Sequence, residues 1–489
     1  MSDLLKRRIS RRGMMRGAAV GAAAAALSAC QPKVVEVTRE VEKVVKEVVK
    51  ETVVVGGTPQ VVEKEVTRVV EQAAQPQGEK VVRYMTQLWN WQKLNMATAT
   101  DEYNRQMRGK VRIEADPNPE GWQTKVAQMV KDGKLEWNGM LRTRNLGEIR
   151  DYKRMGIIEP WDEFINSSAV PWATKFWDEL LPNIRSSFSE EGKLFGFPWD
   201  IEVFVRVYRK DFWDKLGTTP AATLPDFEAQ LYELKKMFPD NVPMSFRHWC
   251  THPDQHMLMQ LWTENPWVQE EEGSYFDVRS DAYKEMMNLL KRWFDDGIIT
   301  DDTWGEKVAI ESWNKGISLT IQSNASWTQA QARKVWGTPN IATTTNFVLK
   351  EGDKPKTLTF GNGAILFKGA TEPQEITDWL LWMVDPTVEK IENYSFHLGY
   401  LNYFHFPAYK SVYDKIIPGN SDWAWMEPMY EMINASAAVP TDAHLDIFGP
   451  IADAWEQKFM HGECTLDECI NAIYDEERVQ VRKMLEGKM

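Results

Sequence analysis

Cysteine is scarce in this chain, with four residues in 489. Cys30 closes an N-terminal apolar run, which leaves Cys250, Cys464 and Cys469 for the body. An odd number leaves at least one thiol unpaired, so no disulfide framework sets the fold. Long apolar runs are missing too. Gly17–Leu27 has 11 residues, whereas a membrane-spanning helix needs roughly 20, and no second segment reaches that length. An excess of positive charge is also absent. The net charge is −13, and residues 1–29 hold six basic side chains against one acid, so the chain after them stands at −18. Such a surface repels nucleic acid and anionic headgroups, and no nucleic-acid partner is expected. No nucleophile elbow, phosphate loop or zinc motif occurs. His252 and His256 stand four apart, as a helical metal pair would. No third ligand is near, however, and Pro253 suits the first turn of a helix. No metal or cofactor is expected.

The start of the chain does carry a leader. A charged beginning, a short apolar run and small residues before a cut site make an export signal. Ser10-Arg11-Arg12-Gly13-Met14-Met15-Arg16 resembles the twin-arginine export motif, and Leu27-Ser28-Ala29-Cys30 resembles a bacterial lipobox. That resemblance implies a signal peptide over 1–29, cleavage before Cys30 and acylation of its thiol. The protein would then be held by lipid to the outer face of the cytoplasmic membrane. Residues 30–79 read as a low-complexity Val/Glu/Lys tether. "VVEVTREVEKVV" (34–45) recurs loosely as "VVEKEVTRVVEQ" (61–72). Val34, Val37, Val41, Val44 and Val48 alternate three and four apart, which is heptad spacing. An oligomerising coiled coil therefore stands beside the plain spacer. The spacer is preferred, and a monomer is expected.

Residues 80–489 exceed one usual hydrophobic core and call for two domains or lobes. Val81–Thr86 reads as a first strand and Val111–Glu114 as a second, followed by a turn at Pro117–Gly121 and a helix from Trp122. Strands alternating with helices predict an α/β architecture. Thr223 and Thr371 each stand three residues before an acid or amide and read as helix caps. Ser280 reads as the cap of a helix running to about Phe294, with Gly297 ending it. In "GECTLDEC" (462–469), Thr465 and Glu468 form a capping box, which puts Cys464 and Cys469 at the two staple positions. That spacing is compatible with a disulfide and equally with two small apolar residues in contact. Twenty-two tryptophans are the unusual abundance. Most belong to the core, but several flank turns, where an aromatic plane suits the C–H face of a sugar ring.

"YKRMGIIEPWDEFI" (152–165), "GKLFGFPWDIEVFVRVYRKDFWDKLG" (192–217), "TLPDF" (223–227), "SWNKGISLTIQSNASW" (312–327) and "FPAYKS" (406–411) come in one order. In that order they resemble the extracellular solute-binding proteins of ABC importers, and most of all the sugar-binding family typified by maltose-binding protein. Arg209 stands where the family usually has asparagine, and Asn138 where it has an aspartate near the cleft. The resemblance implies a periplasmic-binding-protein-like α/β fold, with two lobes joined by a hinge and built from discontinuous segments. The expected segments are 80–204 and 359–398 for the first lobe, and 205–358 and 399–489 for the second. It also implies a carbohydrate ligand, an oligosaccharide by the tryptophan count, and an ABC permease as partner.

Ligand in such folds lies between the lobes, near strand ends. Asp200 and Glu202 sit at the first crossing, and the resemblance puts Glu202 on a hinge glutamate that contacts sugar hydroxyls. Trp199 could stack on sugar or fill the core. Trp89, Asn90 and Trp91 follow the first strand, Trp122 opens a helix, and Trp249 follows a strand. Asn324 and Trp327 fall in the fourth motif. Gly361 and Asn362 lie at the return crossing, where glycine lets a ligand approach the backbone. Arg142 and Arg144 end a strand and are read as surface ion pairs. The rival reading is a secreted glycan-degrading enzyme, which needs two carboxyl groups about 5 to 9.5 Å apart across a cleft. Asp200 and Glu202 project from one face of one strand instead, so no catalytic residue is assigned. Cys30→Ser is expected to leave the protein exported but unacylated. Metabolic labelling with a radioactive fatty acid should mark the wild type and not the variant.

Overall fold

The computed structural model describes residues 43–55, 58–70 and 78–486, with interruptions at 88–90, 92–94, 145–146, 247–252, 305, 325–334, 336, 338–339, 387–395, 402–404, 416, 419–420 and 422. The leader and Cys30 lie outside the described residues. The chain divides into two units, Met1–Pro76 and Gln77–Met489. In the first, Lys43–Val55 and Thr58–Val70 form an antiparallel hairpin, with Lys43 opposite Val70 and Val55 opposite Thr58. This replaces the heptad reading from Lys43 onward. Valine is branched at Cβ, which restricts it in a helix and suits it to a pleated strand.

In the second unit a ten-stranded sheet includes β1 (Lys80–Thr86), β2 (Val111–Pro117), β3 (Gly139–Arg144), β4 (Gly196–Arg209), β5 (Thr320–Asn324), β6 (Thr359–Phe367) and β7 (Phe406–Pro407). The main path of the sheet runs β5-β4-β6-β3-β1-β2, with the two-residue strand Ser245–Phe246 outside β5. β1 is parallel to β2 and β3, while β6 is antiparallel to both β3 and β4. The result is the α/β architecture expected, with a sheet of mixed direction. β4 is central. Twelve of its 14 residues are buried, as in a strand covered on both faces. It pairs with β6 through Gly196–Val203 and with β5 through Phe204–Tyr208, so one strand serves both halves. Arg206 fixes its second half. The guanidinium is fully buried and donates to the carbonyls of Thr345 and Ala221 at 2.8 Å, with the Phe227 ring centroid at 4.6 Å. Burial pushes its pKa down to about 9.

Buried apolar side chains form two large clusters. One gathers residues from Val82 to Val207 and from Ala364 to Ile433, with Ile310, Trp313, Ile321 and Ile341, and the other draws on Phe204 to Leu358 and Val439 to Ile473. The sequence reading placed the last change of lobe at residue 399. Here Tyr400, Leu401, Phe406, Tyr409, Met432 and Ile433 all pack in the first cluster, and the change falls between Ile433 and Val439. The apolar pattern alone does not say which core a helix faces.

Local signals hold at several helix starts. Thr223 accepts from Asp226 N–H, Ser280 from Tyr283 N–H, and Thr465 with Glu468 closes the full capping box. Thr371 does not cap its helix. Asn138, buried and far off in sequence, does so instead, its Oδ1 accepting from Glu372 N–H at 2.7 Å and from the Thr371 hydroxyl at 3.3 Å. Cys464 and Cys469 are free thiols, which corrects the disulfide option. Cys469 is buried in the second cluster, while the half-buried Cys464 leans on that cluster with its thiol toward the Trp455 carbonyl. Cys250 lies outside the described residues. Pro253 opens the helix Pro253–Met259 as expected. His256 takes a hydrogen bond from the Trp267 indole at 3.2 Å, and burial holds its pKa down at about 3, so it is a neutral core histidine.

Glycine is required around one ring. A Cβ at Gly196, Gly361 or Gly363 would stand 2.3, 2.5 or 2.8 Å from an atom of the buried Phe188 ring. The glycines at the return crossing thus receive a phenylalanine, where the sequence reading had backbone open to ligand. Gly361→Ala should cost about 1 to 3 kcal/mol through overpacking. Adding Phe188→Leu should recover part of that loss, because the two changes share one space. Urea denaturation of both variants checks this.

Candidate functional site

β4 and β6 run side by side where the chain passes between the two clusters, and β7 of the first cluster lies against β4. The register sets Asp200 of β4 opposite Asn362 of β6 on one side and Pro407 of β7 on the other. Asp200 is 0% exposed. Its Oδ1 accepts from Asn362 Nδ2 at 2.8 Å, and its Oδ2 lies 2.6 Å from His405 Nδ1. An ionised carboxylate only accepts, so Nδ1 of His405 carries the proton in this pair. Three separate passes of the chain thus meet at one carboxylate. Tyr409, just beyond β7, adds a hydrogen bond to the carbonyl of Pro198.

Glu202 is the next residue on the same face of β4 and is half-buried. Asp200 is committed to Asn362 and His405, and Asn362 spends its amide on Asp200. The pair expected to face a ligand together is therefore split, with Asp200 structural and Glu202 nearer the surface. The β3 end adjoins this node, because Arg144 pairs in register with Asn362. Asn324 ends β5 opposite Phe204.

Among the tryptophans proposed from sequence, Trp199 is buried and stacked on Phe396, with centroids 5.4 Å apart and planes at 10°. Trp122 is buried against Tyr152 and Phe367. Trp91 is half-buried and packs 5.9 Å from Tyr84. These rings contribute to the first core. Trp89, Asn90, Trp249 and Trp327 lie outside the described residues, as do the side chains of Arg142, Arg144 and Asn324.

Two cavities stand out. One, of about 330 Å³, opens between the two halves and is lined by Arg150, Lys153 and Arg154 from one side and Glu271, Glu272 and Asp442 from the other. The other, of about 620 Å³, lies beside the loop 347–356 with Met257, Trp262, Phe347 and Lys356 in its wall, and neither Asp200 nor Glu202 lines it. Its size alone does not make it the site, because the crossing strands are elsewhere. Sequence reasoning missed His405, which directly precedes the quoted "FPAYKS", and Arg150, which lies just before the quoted "YKRMGIIEPWDEFI". Among the described residues, no three His, Cys, Asp or Glu side chains group as a metal site, and no helix is long and apolar enough to cross a membrane.

Residues 98–428, more than half of the chain, match the family of bacterial extracellular solute-binding proteins. The chain belongs to that family. A search of curated proteins by sequence returns no match. Solved structures are similar over nearly their whole length. A cyclo/maltodextrin-binding protein complexed with maltotetraose is 12% identical, with a TM-score of 0.65 over 85% of this chain and 100% of that one. The cyclic alpha-maltosyl-1,6-maltose binding protein from Arthrobacter globiformis is 16% identical, with a TM-score of 0.67 over 83% and 100%. The GacH receptor of Streptomyces glaucescens GLA.O, solved unliganded and with acarbose, is 14% identical, with a TM-score of 0.63 over 83% and 99%. At such identities the likeness shows the fold, which is that of maltose-binding-protein-like periplasmic binding proteins. The family and these neighbours are binding proteins rather than enzymes.

In this solute-binding protein, Asp200→Ala removes the acceptor shared by Asn362 and His405. A loss of about 3 kcal/mol is expected, the scale for breaking a buried charge-assisted pair. Asp200→Asn, which keeps one acceptor, should lose less. Chemical denaturation followed by circular dichroism measures both.

Proposed function

We propose that this protein captures a carbohydrate, an oligosaccharide of the maltodextrin type, between two lobes and presents it to an ABC permease while tethered to the membrane through Cys30. The fold likeness to structures holding maltotetraose and acarbose carries this reading. The two apolar clusters would be the cores of the two lobes, and β4 and β6 the hinge strands. The work is differential affinity, in which ligand stabilises the closed arrangement and the permease reads that arrangement. Glu202 would accept hydrogen bonds from sugar hydroxyls, and a charged acceptor strengthens those bonds. Trp89, Trp249 and Trp327, with Asn90 and Asn324, remain the proposed lining. The enzyme reading gains nothing from Asp200, whose two oxygens are engaged within the fold.

Calorimetry of the mature protein with maltotetraose tests the proposal. Binding is expected for the wild type. Glu202→Gln should weaken it by about 1 to 3 kcal/mol, roughly 5- to 160-fold in Kd, and Trp327→Ala should weaken it too. No heat from maltotetraose or any other maltodextrin would overturn the maltodextrin assignment. Wild-type affinity in both variants would overturn the placement of the site.

A further inference from the structure

Arg150 connects the two halves of the molecule. It sits on the helix Glu148–Arg154, whose Ile149 and Tyr152 pack in the first cluster. Its side chain is almost fully buried, yet it is spent on the other half. Nη1 donates to the carbonyls of Asp442 and Ala443 at 3.0 and 2.9 Å and lies 2.9 Å from His444 Nδ1. The segment 442–444 belongs to the second half. Ala443 packs in the second cluster, the Asp442 side chain takes hydrogen bonds from Ser274 and Gln269, and Ala443 bridges Ser274. Gly147, at positive φ, makes the approach between the halves close, since a Cβ there would stand 3.0 Å from the Ala443 carbonyl. Within the second half, a Cβ at Gly273 would stand 2.6 Å from His444 Nε2.

The chemistry fixes the protonation of His444. Nη1 shares its two protons among three neighbours, the carbonyls of Asp442 and Ala443 and Nδ1, and a proton on Nδ1 would face a group that only donates, so Nδ1 carries none. Nε2 lies 2.9 Å from the Glu272 carbonyl, which only accepts, so Nε2 carries the proton. His444 is therefore neutral in this arrangement. A second proton would remove the acceptor and set a cation against the guanidinium.

We propose that Arg150 is a catch between the two lobes, holding them together while His444 is neutral and releasing them when His444 gains a proton. The proposal rests on the two-lobe reading above.

The groups facing His444 make the switch directional. Arg150 and Arg154 approach from the helix Glu148–Arg154, with Asp151 hydrogen-bonded to Arg150. Glu272 offers its carbonyl from one side, Asp442 and Asp446 flank the imidazole along the chain, and the Tyr275 ring packs at 5.3 Å. Burial first, then Arg150, pushes His444 below the ordinary histidine value. In the open form the imidazole meets water without Arg150 and titrates near the usual value of about 6.5. The catch is thus fully present above that pH and is lost as pH falls from there toward the lowered value of the closed form. Glu477, in the next shell beyond Tyr275, is held up at about 8 by burial, so its own charge change is centred above this window.

Small-angle scattering of the unliganded mature protein at about pH 7.5 and about pH 5 tests the catch, with R150M and H444Q alongside and circular dichroism to verify folding. The wild type should gain roughly an ångström in radius of gyration at the lower pH. R150M should show the larger radius at both, and H444Q should show no pH response. Identical radii for wild type and R150M at about pH 7.5, or an unchanged pH response in H444Q, overturn the catch. If maltotetraose compacts the protein while wild type and R150M coincide, the catch alone fails. If nothing changes the radius under any condition, the catch and the two-lobe reading fail together.

Discussion

Asp200 is a carboxylate with no access to water, and removing such a group from water costs several kcal/mol unless hydrogen bonds answer it. The answer comes from two other passes of the chain, Asn362 on β6 and His405 beside β7. Each donor is at the right place only if its strand holds the observed register against β4. A slip of one residue on either side would turn the donor to the opposite face of the sheet and leave a buried charge unanswered. The node therefore specifies register more than it adds net stability. Phe188 adds a steric version of the same demand, because its ring fits only where Gly196, Gly361 and Gly363 lie together.

A rigid crossing is what a binding protein built on differential affinity requires. Lobes that move as bodies need few, well-defined connections, so that closure brings the same two surfaces together each time. β4 meets that need by running through both cores as one strand, with Arg206 anchoring its second half between aromatic rings. Beyond the crossing, the contact that Arg150 makes with the segment 442–444 is polar. The cavity beside it has Arg150, Lys153, Arg154 and Glu190 on one wall and Glu271, Glu272 and Asp442 on the other. Polar surfaces of that kind can separate into water at little cost, whereas an apolar interface would lock the two halves together.

The fold was legible because its signals are local or ordered. Strand-helix alternation from Val81 to Trp122 gave the first α/β unit, and the series of motifs gave the family. Thr223, Ser280 and Thr465 announced their helices because a cap reaches only three residues ahead. The misses share a cause. Asn138 caps a helix more than two hundred residues later, and His405 pairs with Asp200 across a similar distance. No spacing rule reaches that far. Residues 399–489 were expected in one segment, and Tyr400 to Ile433 pack in the first cluster, since a sequence pattern shows a buried face without naming its partner.

The tryptophans need the most careful weighing. Twenty-two of them first suggested a sugar-lined cleft, but Trp161, Trp199, Trp213, Trp293, Trp313 and Trp379 are all fully buried within the cores. Trp213 stacks on Phe227 with planes 3° apart, as Trp199 does on Phe396, so much of the excess serves packing between aromatic partners. Abundance therefore says little about the ligand.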